Sequence, residues 1–316
     1  MKGSESMKLG FIIPQHPREK RVALLPKHIN GFNNDILIEK GFGHHLNISD
    51  EEYKKKGCTI LSREDIFKES DGIFSLKVIK PDDYDYIKEN QIIVGWTHPY
   101  GSGHNFMEEA ALPKNLMVVD LDNIHPEIFY KNKEIAIPWI PKNFVYKNSY
   151  LAGYASTIHG LMSFGMIPSS KDNVAILGSG NTAQGAFNAI SKFSCTTRMF
   201  YRKTMEEFLS QVEDFNIIIN GIELSPTSNP LLSKGQLSSL PNETFIIDAA
   251  ACPGRTFEGL YHTSYESPVI SEGNYHFYSI NNTPSIYYRE ASENISEAFS
   301  KYIYSRDLKD YLDLCK

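Results

Sequence analysis

The chain has 316 residues, and 32 Lys and Arg against 38 Asp and Glu give a formal charge of −6, with 41% of residues hydrophobic. At roughly 150 residues per domain there is room for two domains, each able to bury its own core. Scattered cations on a mildly acidic chain exclude nucleic acid or an anionic membrane as the main partner, and no apolar run approaches the ~20 residues of a membrane helix.

Cys58, Cys195, Cys252 and Cys315 contain no Cys-x-x-Cys pair. Neither a disulfide framework nor a metal site is expected, and a reducing cytoplasm is the default location. Met1–Ser6 precede a second methionine, Met7, and read as a leader or cloning remnant.

From Met7 to about Asn123, short apolar runs alternate with polar, helix-like stretches. The runs are Leu9–Ile13, Asp35–Glu39, Gly72–Val78, Gln91–Trp96 and Leu116–Asp122. Rich in Ile, Val and Phe and bounded by helical segments, they predict strands of a largely parallel sheet. Ser149–Met166 is long and rich in small residues and predicts a linker helix. A second series follows at Val174–Gly178, Thr197–Tyr201, Phe215–Asn220 and Thr244–Ala250, and Ser292–Leu314 has helical spacing. The expected architecture is α/β: two Rossmann-like lobes with parallel sheets and an interdomain cleft, where ligands commonly bind. Residues 7–145 with 288–316 would form a substrate or catalytic domain, and 146–287 a dinucleotide-binding domain.

The most specific local signal is Gly178-Ser179-Gly180-Asn181-Thr182-Ala183, directly after the buried strand Val174–Leu177 and opening a helix. Gly178 permits the tight turn, Gly180 lets backbone approach a pyrophosphate, and Ala183 allows close helix–strand packing. The helix N-terminus adds free N–H groups and a positive dipole end. An NAD site usually carries an acid about 20 residues on, at the end of the next strand. Here stand Tyr201, Arg202, Lys203 and Thr204. Two cations and hydroxyls suit a 2′-phosphate, so the expected cofactor is NADP(H). Asn220 and Gly221, closing the FNIIIN run, are expected near the nicotinamide ribose.

Further landmarks are Glu19-Lys20-Arg21-Val22-Ala23-Leu24-Leu25-Pro26, Leu76-Lys77-Val78, Trp96-Thr97-His98-Pro99, and Asn282-Thr283-Pro284 through Arg289. With the glycine motif they make the chain resemble the alanine dehydrogenase/saccharopine dehydrogenase family from Met7 to Tyr304. Within it, the stretches FSLKV, IIVGWTHP, VDLDNIHP, NSYLAGYAST and RMFYRKT are similar to a branch that reductively condenses pyruvate with the side-chain amine of ornithine, or lysine, using NADPH. The resemblance implies that Arg21 grips the keto-acid carboxylate, a bidentate task suited to a guanidinium. It implies that Lys77 lies at the substrate carbonyl and that His98 is the general acid/base, imidazole being the side chain that titrates nearest neutral pH. Asn282 and Arg289 match late substrate-facing positions. Asp122, from its strand-end location and charge, is expected to pair with the second substrate's ammonium. A homo-oligomer is implied as well, with a keto acid and an amino acid as small-molecule partners. His44-His45 lacks companion ligands at metal spacing, so no metal is expected.

One departure stands out. The alanine dehydrogenase branch carries an aspartate four residues after the position of Asp248, and this chain has Cys252 there. A carboxylate at that place assists chemistry on a free amino group, so its loss speaks against plain alanine deamination. An amino-acid dehydrogenase, a saccharopine-type enzyme using 2-oxoglutarate, and a non-catalytic NADPH-binding sensor stay open as alternatives.

Overall fold

A computed structural model of the protein describes residues 6–122, 124–225 and 227–316. Met1–Glu5 of the leader reading, and Asn123 of the VDLDNIHP stretch, lie outside the described residues. The chain forms two compact units, residues 1–145 with 288–316, and residues 146–287.

The first unit holds strands β1 (Lys8–Phe11), β2 (Asp35–Glu39), β3 (Thr59–Leu61), β4 (Gly72–Ser75), β5 (Ile92–Gly95), β6 (Met117–Asp120), β7 (Glu127–Tyr130) and β8 (Lys133–Ala136). They form one sheet in the order β3-β2-β1-β4-β5-β6-β7-β8. The pairings from β3 to β6 are parallel, whereas β6–β7 and β7–β8 are antiparallel. Helices α1 (Asp50–Lys54), α2 (Arg63–Glu69), α3 (His104–Phe106) and, later in the chain, α8 (Tyr288–Phe299) and α9 (Leu308–Leu314) belong to this unit.

The apolar runs are continuous because both faces of the sheet are covered. Phe74, Ile92, Val94, Met117 and Val119 point into one core, which also takes Ile295, Phe299 and Tyr304. The alternate residues Ile73, Ile93 and Val118 point into a second core on the other face with Ile66, Phe67 and Phe106. That is the period-two alternation of a strand, read out on two sides.

The second unit begins with the long helix α4 (Tyr146–Phe164). It continues with β9 (Asn173–Leu177), α5 (Asn181–Ile190), β10 (Thr196–Phe200), α6 (Met205–Ser210), β11 (Ile217–Asn220), α7 (Lys234–Ser238), β12 (Thr244–Asp248), β13 (Ile270–Glu272) and β14 (Tyr275–Tyr278). The sheet order is β10-β9-β11-β12-β14-β13, parallel except for β13–β14. Both sheets are largely parallel, as expected, and each ends in an antiparallel pairing at one edge. The β7–β8 turn is built on Lys131 and Asn132, both at positive φ, which gives the local twist a two-residue hairpin requires.

Small residues on α4 serve a packing purpose. A Cβ on Gly153 would lie 1.8 Å from the Thr182 carbonyl oxygen, and one on Gly185 would lie 1.8 Å from that of Tyr150. The backbones of α4 and α5 therefore touch, and α4 fixes the start of the helix that follows the glycine motif. Gly153→Ala is expected to force the helices apart at a cost of about 1–3 kcal/mol. Thermal unfolding should show the melting temperature falling by several degrees; an unchanged value would contradict this backbone contact.

Candidate active site

In a parallel sheet the carboxyl ends of the strands share one edge, and ligands gather where the strand order reverses. In the first unit β1 lies between β2 and β4, which is such a reversal point. Four loops leave adjacent strands there: the one after β1 carries Glu19 and Arg21, the one after β4 carries Lys77, the one after β5 carries Trp96, Thr97 and His98, and the one after β6 carries Asp122.

Arg21 is almost wholly buried, its side chain 1% exposed. Its Nε donates to Glu19 Oε1 at 2.8 Å and its Nη2 to Glu19 Oε2 at 2.6 Å, and its backbone N–H donates to the same carboxylate at 3.0 Å. The guanidinium carbon lies 4.9 Å from the centre of the Trp96 ring. Lys77 Nζ lies 5.7 Å from the same ring. The indole N–H of Trp96 is buried without a hydrogen-bond partner. Burial, and then the neighbouring Arg21 charge, push the Lys77 ammonium down to about 8, while Glu19 and Asp122 pull it back up. Two cations thus share one aromatic face, and two carboxylates act on them.

His98 adopts a φ of +45°, uncommon for a side chain with a Cβ. A buried carboxylate holds it there. Asp120 Oδ1 accepts from the His98 N–H at 3.2 Å, the Thr97 N–H at 2.9 Å and the Thr97 hydroxyl at 2.8 Å. The imidazole Nδ1 lies 2.8 Å from Asp122 Oδ2. With Nδ1 engaged by an acid, Nε2 is the nitrogen presented to a reactant. Asp122 is therefore engaged by a residue of the chain itself, where the sequence reading reserved it for a substrate's ammonium. Glu19, Trp96 and Asp120 were not singled out from sequence. The only signals were an acid two residues before Arg21 and an acid closing a buried strand.

The remaining candidates divide. Arg289 is exposed at the start of α8, its guanidinium 5.6 Å from the Tyr288 ring. Asn282, in the second unit, has φ +62° and accepts a hydrogen bond from Ser285 through its carbonyl. Among the described residues no group of three His, Cys, Asp or Glu is arranged to hold a metal.

In the second unit the reversal falls between β9 and β11. Gly178, at φ +107°, turns the chain off β9, and its N–H donates to the Phe200 carbonyl at 2.7 Å. A Cβ at Gly180 would meet nothing within 4 Å, so the backbone there faces open space. α5 starts at the next residue, and the N–H groups of Asn181, Thr182 and Ala183 lack intrahelical acceptors by helix geometry. Ser179 is exposed beside them. Gly221 lies so close to α5 that a Cβ on it would sit 2.8 Å from Ala183 Cβ. This cradle fits a dinucleotide pyrophosphate. Beyond β10, Tyr201, Arg202 and Lys203 are exposed, in a turn closed by Thr204, whose N–H donates to the Tyr201 carbonyl at 2.7 Å.

Asn220 closes β11 at the same edge. Its side-chain amide donates to Asp248 Oδ1 at 2.9 Å, the Ile222 carbonyl at 3.0 Å and Thr256 Oγ1 at 3.2 Å, and its oxygen accepts from the Ile222 N–H at 3.2 Å. It is buried and ties the end of β11 to the end of β12. Burial, then the nearby Glu223 charge, push the Cys252 thiol up to about 12, which keeps it in the protonated form.

The N-terminal domain of the family described as "Alanine dehydrogenase/PNT" matches residues 14–128, and the C-terminal domain matches residues 158–315. The chain belongs to the alanine dehydrogenase/PNT family. It is 59% identical to the N(5)-(carboxyethyl)ornithine synthase of Clostridium botulinum (strain Hall), over 98% of this chain and 97% of that one. It is 50% identical to the protein of the same name from Lactococcus lactis subsp. lactis (strain IL1403), over 98% and 99%. Among solved structures, an L-alanine dehydrogenase shares the fold with a TM-score of 0.77 at 17% identity, covering 94% of this chain and 89% of that chain. The family is one of oxidoreductases that bind a nicotinamide dinucleotide. No helix among the described residues is long and apolar enough to cross a membrane.

Membership of an enzyme family sharpens the meaning of Lys77. An unfolded lysine titrates near 10.4, so between about pH 8 and 10 the unfolded chain holds more protons and stability rises with pH. At pH 7 Lys77 is charged in both states and its burial penalty acts in full. Lys77→Met should therefore raise the melting temperature at pH 7, and the gain should shrink as the pH approaches 10. A fall at pH 7 would make Lys77 a structural ion-pair residue.

Proposed function

We propose that the protein condenses pyruvate with the side-chain amine of ornithine, or of lysine, and reduces the resulting imine with NADPH to an N-(1-carboxyethyl) amino acid. The observation that carries this reading is the cluster in the first unit: Arg21 and Lys77 over Trp96, with Asp122 near enough to act on Lys77 and bonded to His98. The relatives' name, N(5)-(carboxyethyl)ornithine synthase, supports a carboxyethyl group joined to the side-chain nitrogen of ornithine.

In this reading Arg21 binds the pyruvate carboxylate while Glu19 fixes the orientation of the guanidinium. Lys77, protonated near neutral pH, polarises the keto oxygen. The neutral side-chain amine attacks the keto carbon to give a carbinolamine. His98 takes a proton from the attacking nitrogen and returns one to the departing hydroxyl, so that water leaves and a carbon–nitrogen double bond forms. Asp122 keeps the imidazole in the tautomer and orientation these transfers need. NADPH, when bound, supplies the hydride.

Gly178, Gly180 and the first N–H groups of α5 would hold its pyrophosphate. Tyr201, Arg202, Lys203 and Thr204 would hold the 2′-phosphate, because no carboxylate stands at the end of β10 to repel it. Cys252, uncharged in place of the aspartate of alanine dehydrogenases, supports an amine bulkier than ammonia as the nucleophile.

The test is oxidation of NADPH or NADH on mixing pyruvate with ornithine, lysine or ammonia in parallel. Turnover is expected with NADPH and a diamino acid, far above that with ammonia, and Tyr201→Asp with Arg202→Ala should weaken NADPH more than NADH. Ammonia as the best amine, or an unchanged cofactor preference in the double variant, would contradict the corresponding half of the reading.

A further inference from the structure

The four residues after Arg21 carry a signal the mechanism does not use. Val22, Ala23, Leu24 and Leu25 are 1%, 2%, 0% and 6% exposed, yet they belong to no strand or helix. Buried backbone groups must find partners. Here side chains supply four of them. The Val22 N–H donates to Ser292 Oγ at 2.8 Å, and the Leu25 N–H donates to Ser296 Oγ at 2.8 Å. The Ala23 carbonyl accepts from the Tyr304 hydroxyl at 3.1 Å, and the Leu24 carbonyl accepts from the Tyr53 hydroxyl at 2.8 Å. All four side chains are buried.

The donors and acceptors are themselves fixed. Ser292 Oγ donates to the Tyr288 carbonyl one turn back at 2.6 Å, which leaves its lone pairs for Val22. Ser296 follows four residues later on the same face of α8 and also contacts His28 Nδ1 at 2.8 Å. Burial drives the ionisation of Tyr53 and Tyr304 far upward, so both hydroxyls remain donors. Arg21 itself is tied through its own N–H to Glu19. Every residue from Arg21 to Leu25 is therefore held by a side chain, where a neighbouring strand would ordinarily do the work.

We infer that Ser292 and Ser296, with Tyr304 and Tyr53, are positioning residues for Arg21, setting where its guanidinium meets the keto-acid carboxylate. This rests on the reading of Arg21 as the carboxylate grip. Removing one serine leaves a buried N–H unpaired, and the cheapest relief is a shift of the segment that ends in Arg21. Arg21 binds the carboxylate alike in the ground and transition states, so the effect belongs in pyruvate affinity rather than turnover.

The test compares Ser292→Ala and Ser296→Ala with Ile295→Val, which thins the same helix face without touching a hydrogen bond, and with Arg21→Met. Pyruvate KM and kcat are measured at saturating NADPH and ornithine. Pyruvate binding without turnover is followed by Trp96 emission in a Trp139→Phe background, these being the two tryptophans of the chain. Each serine variant should raise the pyruvate KM and Kd about tenfold with kcat nearly unchanged. Ile295→Val should lower the melting temperature and leave Kd alone. If Arg21→Met weakens pyruvate and the serine variants only lose stability, the positioning role is overturned while the Arg21 reading stands. If Arg21→Met leaves Kd unchanged, the Arg21 reading fails and the positioning role with it. Should Ser292→Ala not fold, Ser296→Ala and Tyr304→Phe decide the question by the same measures.

Discussion

A guanidinium buried against a carboxylate is stable only when both ends of the pair are satisfied and held. Arg21 and Glu19 meet that condition: two side-chain contacts, a backbone N–H on the same carboxylate, and an indole face beneath the cation. Lys77 beside them makes the arrangement asymmetric. It is a second cation in a desiccated setting, and its proton is loosened by burial and by the neighbouring Arg21 charge. Such a site gains from an incoming anion, which relieves like-charge repulsion and restores the ammonium. A keto acid brings a carboxylate and a polarisable oxygen on adjacent carbons, matching an arginine and a lysine on one ring.

The fold explains how residues far apart in sequence reach one edge of a sheet. β1, β4, β5 and β6 are parallel neighbours, so the loops bearing Arg21, Lys77, His98 and Asp122 leave from the same end. Two of these loops are then fixed by buried polar contacts rather than by ladder bonds. Asp120 holds Thr97 and His98; Ser292, Ser296, Tyr53 and Tyr304 hold the segment after Arg21. The second unit uses the same topology differently. The turn between β9 and α5 is short and glycine-rich, and close contact of α4 with α5 sets the helix start that faces it.

Much of the fold was legible in the sequence because buried parallel strands read as unbroken Ile, Val and Phe runs. The runs at Gly72–Val78 and Thr244–Ala250 contain β4 and β12, and the run at Leu9–Ile13 overlaps β1. The elements that escaped are those lacking this signature. β3 has three residues, β8 is an exposed edge with the sequence Lys-Glu-Ile-Ala, and the β7–β8 turn uses Lys131-Asn132 without a glycine. At the sites, glycine spacing and basic motifs were readable because they depend on residue type in local order. The pairing of Asp122 with His98, and the engagement of Asn220 by Asp248, were not. Both depend on which strand ends lie side by side, which no local pattern encodes.

The central claim is that the Arg21–Lys77 pair accepts a keto-acid anion and that Lys77 takes up a proton in doing so. Titration calorimetry of pyruvate into the protein saturated with NADP+, at pH 8.5 in buffers of different ionisation enthalpy, measures this directly. Burial and the Arg21 charge push Lys77 down to about 8, so part of it is neutral at that pH before binding, and the account predicts a net uptake of protons that disappears in Lys77→Met. Binding with no proton uptake, or uptake that persists in the variant, would contradict it.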